Sequence, residues 1–210
     1  MEGSDNIIYK VILVGDSGVG KAFLIQSYVN DKYSDDTEST SASTYTYKIV
    51  EYKNYNKTIS LDIWDTAGQE VYRAMARNFY LNASIGFLVY DIRRRESFES
   101  IKDYWYDQLK QSGEENIVIG IAGNKCDLFQ EEQVTEEEVK KYAKSIGAIF
   151  HLTSCKETIG IDDLFEECGK KYLEINNLIG KEGNNEKKEN IVLDKKKVVN
   201  DKGSRGKKCC

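Results

Sequence analysis

Six short apolar segments recur along the chain: IIYKVILVG, YTYKIV, TISLDIWD, SIGFLVYD, NIVIGIAGNK and GAIFHLTS. Longer patterned stretches separate most of them, and strands alternating with helices predict a mainly parallel sheet covered on both faces. Between SIGFLVYD and NIVIGIAG, residues Phe98, Ile101, Trp105 and Leu109 repeat at helical spacing and form one buried stripe. Thr135 with Glu138 three residues on reads as a capping box, opening a helix that buries Val139, Tyr142, Ala143 and Ile146. Ile161, Leu164, Phe165, Cys168, Tyr172 and Leu173 mark a last helix. YTYKIV and TISLDIWD join through YKNYN as a hairpin, which makes the second strand an antiparallel edge. From Gly180 the chain is too rich in Gly, Asn, Lys and Glu to bury, so residues 1–179 are expected to fold as one domain and 180–210 to be a disordered tail.

The bulk composition agrees with one packed domain. The chain has 210 residues, is 40% hydrophobic and carries 14 Tyr and 7 Phe, within the usual range for a single core. Its charge is unevenly placed. Residues 180–210 hold ten Lys/Arg against five Asp/Glu, which leaves twenty against thirty in residues 1–179. An acidic body argues against nucleic acid as a partner, while a basic tail suits an anionic membrane leaflet. Cys126, Cys155, Cys168, Cys209 and Cys210 follow neither disulfide nor zinc spacing, which suggests a reducing, cytosolic setting. No apolar run approaches the roughly 18 residues of a membrane span, and Gly3 stands one place too late for N-myristoylation. Any membrane contact is therefore expected to come from an added anchor.

Four motifs carry the candidate chemistry. GDSGVGK, comprising Gly15, Asp16, Ser17, Gly18, Val19, Gly20 and Lys21, follows a strand and precedes a helix. Glycines there let successive amides surround phosphates while Lys21 reaches the terminal pair. The same turn could be only a tight turn, but its placement favours phosphate. DTAGQ, from Asp65 to Gln69, ends a strand at the sheet edge where ligands gather. There Asp65 can hold a water-bound magnesium and the Gly68 amide can sense a terminal phosphate. NKCD places Asn124, Lys125 and Asp127 at another strand end. A carboxylate at Asp127 can accept from both N1–H and the exocyclic amine of guanine, a donor pair that adenine lacks. TSCK adds Ser154, Cys155 and Lys156, whose backbone amides could meet guanine O6 or form an ordinary polar turn.

The ordered set GDSGVGK, WDTAGQE, NKCD and TSCK resembles the Ras superfamily of small GTPases over residues 7–176. KTISLDIWDTAGQE, FYLNASIGFLVYDI, ESFESIKDYW and the Cys209–Cys210 pair are similar to segments of its Rab branch. The resemblance implies an α/β three-layer P-loop small GTPase fold, with a six-stranded mainly parallel sheet, one antiparallel edge strand and about five helices. It implies GTP and GDP as ligands with Mg²⁺, and a switch that binds and slowly hydrolyses GTP in vesicle traffic. Tyr33 matches the aromatic that stacks on guanine and Gln69 the residue that orients the attacking water. Cys209 and Cys210 match prenylated cysteines, with Lys207 and Lys208 beside them facing the leaflet. Implied partners are exchange factors, GTPase-activating proteins, a GDP-dissociation inhibitor, a prenylation escort protein and effectors. The implied location is the cytoplasmic face of an intracellular or plasma membrane, with a cytosolic pool.

Two departures fall on the metal. Family members carry Ser or Thr where Ala22 stands, so the expected Mg²⁺ site is weakened, although water can complete its octahedron. The segment TESTSASTYTY carries about two extra residues, which leaves Thr40 as the candidate metal threonine, with Ser41 and Ser43 as alternatives. A pseudo-GTPase that recruits partners without a hydrolysis cycle is the alternative reading, and NKCD disfavours an ATP-using enzyme. Arg93, Arg94 and Arg95 read as a solvated charge run, and His151 as structural.

Overall fold

The computed structural model describes residues 7–30, 44–65 and 79–179. Its strands are β1 (Ile7–Val14), β2 (Thr44–Tyr52), β3 (Lys57–Asp65), β4 (Ile85–Asp91), β5 (Val118–Asn124) and β6 (Ile149–Thr153). They form one sheet in the order β2-β3-β1-β4-β5-β6. Only β2 runs antiparallel, paired with β3 across the expected hairpin. That hairpin turns through a 3₁₀ segment, Lys53–Tyr55, and closes on Asn56 in the left-handed conformation.

Five α-helices lie among the described residues: α1 (Lys21–Asn30), α2 (Arg95–Ser100), α3 (Tyr106–Ser112), α4 (Glu136–Ile146) and α5 (Ile161–Ile175). The alternation of β1 explains why helices cover both faces. Tyr9, Val11 and Leu13 point to a core shared with Leu24 of α1 and Phe165 and Leu173 of α5. Ile12 and Val14 point to a second core with Phe98, Trp105, Leu109 and Val139. Every residue of β4 and β5 is buried, as parallel strands covered on two faces require.

The expected stripe Phe98, Ile101, Trp105 and Leu109 is fully buried, but its helix is not regular. Between α2 and α3 the chain makes a π turn, Ile101–Trp105, closed by Tyr106 N–H on the Ile101 carbonyl. The capping box forms by half. Thr135 Oγ1 accepts from the Glu138 N–H at 3.3 Å, whereas the Glu138 carboxylate is taken by Arg95 at 2.8 and 3.0 Å. Within α4, Val139 and Ala143 are buried, with Tyr142 and Ile146 half-buried. All six residues expected on the inner face of α5 are buried. His151 of β6 pairs with Glu167 of α5 at 2.7 Å, a strand-to-helix link in keeping with a structural role. No helix among the described residues is long and apolar enough to cross a membrane.

Parallel strands place their C-terminal ends at one sheet edge. The loops after β1, β4, β5 and β6 therefore converge, and the candidate site is built from them. On the other side of β2, Tyr45, Tyr47 and Ile49 form an exposed apolar row, each more than half accessible, with the Tyr45 and Trp64 rings 5.0 Å apart.

Candidate nucleotide site

The loop from Gly15 to Gly20 joins β1 to α1, and side chains hold its carbonyls. Each carbonyl from Gly15 to Val19 accepts from a side chain. Lys21 Nζ donates to Gly15 O at 2.8 Å and Asp16 O at 3.0 Å. Arg94 Nη1 donates to Ser17 O at 3.0 Å, Lys125 Nζ to Gly18 O at 2.7 Å and Asn124 Nδ2 to Val19 O at 2.8 Å. Gly20 O accepts the Leu24 N–H at 2.9 Å and so starts the helix. These bonds fix the loop ahead of the N-terminus of α1, an arrangement that suits an anion.

Two glycines are obligatory. Gly15 lies at φ +149°, and a Cβ there would stand 2.2 Å from the Val89 carbonyl oxygen; Gly20 lies at φ +100°, with its Cβ 2.4 Å from Asn124 Nδ2. Both the backbone conformation and the close packing exclude side chains.

Lys21 is buried. Desolvation pulls its ammonium down to about 8, against the opposing pull of Asp65 and Asp16. A buried cation held by two carbonyls and still short of compensating charge fits a site completed by phosphate.

The ends of β5 and β6 form the other half. Asn124 is buried; besides holding Val19 O, its Oδ1 accepts from Thr153 Oγ1 at 3.3 Å and from Cys155 Sγ at 3.6 Å. Lys125 takes a left-handed φ of +66°, a strain of order 1–3 kcal/mol for a non-glycine residue. Its two partners hold it there: Gly18 O, and Asp91 Oδ2 at 2.8 Å. Asp91 is fully buried; burial raises its carboxyl pKa, but Arg93 and Lys125 outweigh that and hold it down to about 2. Ser154 Oγ donates to Asp127 Oδ1 at 2.6 Å and accepts from Glu157 N–H at 3.1 Å. Ser154 and Ile159 exchange backbone hydrogen bonds, which closes a tight loop that leaves Lys156 exposed. Burial pushes the Cys155 thiol up to about 11 despite its bond to Asn124, so it acts here as packing and a weak donor.

Asp65 ends β3, is buried, and lies in register beside Leu13 of β1. Position 22 presents a methyl group. The described residues contain no cluster of three His, Cys, Asp or Glu side chains fit to hold a metal. The described donors fit phosphate, and Asp65 is a buried carboxylate at the same end of the sheet. Tyr33, Thr40, Ser41, Ser43, Gly68, Gln69, Cys209 and Cys210 lie outside the described residues.

Five contacts were not read from the sequence. Arg93, Arg94 and Arg95 are not a solvated run, because each is tied to a specific partner. Asp91 joins the site through Lys125; its place at a strand end beside NKCD was the available signal. Trp105, set by the π turn, donates its indole N–H to Asp16 Oδ1 at 2.9 Å; π turns are frequent at functional sites, but nothing local in the sequence marks this one.

The Ras family profile matches residues 10–174. Ras-related protein Rab-22A of Homo sapiens is 42% identical over 162 residues, covering 77% of this chain and 82% of the relative. Ras-related protein Rab-31 of Mus musculus is 41% identical over 157 residues, covering 75% and 79%. Ras-related protein Rab5 of Nicotiana tabacum is 36% identical over 167 residues, covering 80% and 82%. A profile match over most of the chain and this extent of identity lead to one conclusion: the chain belongs to the Ras family and, within it, to the Rab small GTPases.

Proposed function

We propose that the protein is a guanine-nucleotide switch of membrane traffic that binds GTP and GDP and hydrolyses GTP slowly. One observation carries the reading: Asn124 and Lys125, which precede the candidate base carboxylate Asp127, also hold the phosphate loop through Val19 O and Gly18 O. Base recognition and phosphate binding are thereby built into one rigid unit. Asp127, oriented by Ser154, supplies the acceptor pair that distinguishes guanine from adenine. Lys21 and the loop amides bind the phosphates, Tyr33 covers the base, and Gly68 and Gln69 address the terminal phosphate and the attacking water.

Asp65 and Thr40 would hold Mg²⁺, which neutralises charge on the terminal phosphate oxygens when bound. Ala22 contributes no oxygen, so the metal is held more weakly. Catalysis of this kind rests on positioning and electrostatics. Intrinsic turnover at or below the order of 10⁻⁴ s⁻¹ follows for an unassisted small GTPase. Prenyl groups on Cys209 and Cys210, with the basic residues of 180–210, anchor the chain to a cytoplasmic leaflet and leave a cytosolic pool. Exchange factors, GTPase-activating proteins, a GDP-dissociation inhibitor, a prenylation escort protein and effectors are its protein partners. The exposed row Tyr45, Tyr47 and Ile49 gives such partners an apolar surface.

Ala22 also supports a second reading, a pseudo-GTPase that recruits partners from one nucleotide state. Titration of GDP and GTP with magnesium, and then with chelator, separates the two. Tight GTP binding strengthened by magnesium supports the switch. Binding indifferent to magnesium, or retention of GDP alone, supports the scaffold.

A further inference from the structure

Three arginines follow β4, and their contacts differ in kind. Arg93 forks onto Asp91, Nε to Oδ1 at 3.1 Å and Nη2 to Oδ2 at 3.0 Å, and reaches Glu131 at 3.3 Å. Arg95 forks onto Glu138, meets Glu99 at 3.3 Å, and donates to the Gln133 carbonyl at 2.7 Å. Arg94 has no carboxylate partner among the described residues. Its Nη1 rests on Ser17 O at 3.0 Å, and a Cβ built on Gly18 would stand 3.5 Å from the same nitrogen.

The stem of Arg94 is held firmly. Its N–H donates to the Asp91 carbonyl at 2.9 Å, and its own carbonyl accepts from the Ser97 N–H at 3.0 Å and Ser97 Oγ at 2.7 Å. Asp91 and Ser97 are fully buried. The guanidinium is therefore set against the phosphate loop from a fixed base.

We propose that Arg94 is a positioning residue for the nucleotide phosphates, acting through the Ser17–Gly18 peptide; this rests on the nucleotide-binding reading above. A carbonyl that accepts from a cation polarises its peptide unit and strengthens the N–H at the other end. For the Ser17 carbonyl that N–H belongs to Gly18. Lys125 does the same to the Gly18–Val19 peptide. Two cations thus hold the carbonyls of consecutive peptide units of the loop. With methyl in place of hydroxyl at residue 22, charge supplied through these carbonyls carries a larger share of phosphate binding.

The test uses the full chain as wild type and as Arg94→Ala, Arg94→Gln and Arg94→Lys. GDP and GTP affinities are measured by titration, alongside the nucleotide-free melting midpoint. Arg94→Ala and Arg94→Gln are expected to weaken both nucleotides about tenfold, Arg94→Lys to restore most of the loss, and all four midpoints to coincide. Unchanged affinity in Arg94→Ala overturns the proposal. So does an equal loss in all three variants, or a loss that tracks a lowered midpoint, since each marks a structural contact without a charge role. If the wild type itself binds neither nucleotide, the nucleotide-binding reading fails and this proposal falls with it. Wild-type binding with a silent Arg94→Ala sinks this proposal alone.

Discussion

Asn124 Nδ2 donates to the Val19 carbonyl at 2.8 Å, from the last residue of β5 across to the middle of the phosphate loop. The bond is buried, and it ties the end of β5 to the loop between β1 and α1. Asn124→Ala leaves Val19 O without its side-chain donor and removes the acceptor used by Thr153 and Cys155. An expected loss of about 1–3 kcal/mol in stability should accompany a fall in GDP affinity. Denaturant unfolding and nucleotide titration on the same samples would check both, and a variant with full affinity would show that the two halves are not coupled.

The depressed pKa of Lys21 makes nucleotide binding sensitive to alkali. Nucleotide-free protein keeps the ammonium charge below about 8 and loses it above, whereas bound phosphate favours the charged form. GDP affinity should therefore be flat toward neutral pH and fall as pH rises past about 8. The stability of the nucleotide-free fold moves the other way. Because the folded pKa lies below the unfolded lysine value of 10.5, the cost of burying the charge is fully present below about 8 and is relieved as pH rises toward 10.5. Melting curves and GDP titrations between pH 7 and 10, with Lys21→Ala as the flat control, test both signs.

Restoring a hydroxyl at position 22 should restore a metal ligand. In Ala22→Ser the ratio of GTP affinity with magnesium to that with chelator is expected to rise about ten- to a hundredfold over wild type, the value of one restored contact to a charged group. An unchanged ratio would mean that the alanine is already compensated elsewhere in the metal's surroundings.

Trp105 is fully buried and its indole N–H meets Asp16. Trp105→Phe keeps an aromatic ring and deletes the donor, so the expected cost of about 1.5–3 kcal/mol is that of a hydrogen bond to a charged group. GDP should recover part of the lost midpoint by mass action if the phosphate loop still closes. A midpoint equal to wild type would remove Trp105 from the list of groups bracing the loop.

Much of this architecture was legible in the sequence because burial on two sheet faces imposes strong periodicity. The fully buried β4 and β5, the hairpin edge and the inner face of α5 follow from it directly. The phosphate loop was legible because only glycine tolerates the positions of Gly15 and Gly20. What could not be read were long-range side-chain choices. The stripe Phe98 to Leu109 looks the same with or without the π turn that seats Trp105 on Asp16. Glu138 satisfies a capping-box pattern, yet Arg95, 43 residues away in sequence, competes for its carboxylate. Three consecutive arginines suggest solvation until the fold brings Asp91, Ser17 and Glu138 to them.

The measurement that tests the central claim most directly is a competition of GDP against ADP on the wild-type chain, repeated on Asp127→Asn. The account predicts that GDP binds at least a hundredfold more tightly than ADP, since the Asp127 acceptor pair goes unmet by adenine, and that Asp127→Asn erases most of that preference. Comparable affinities for GDP and ADP in the wild type, or a preference that survives in Asp127→Asn, would contradict it.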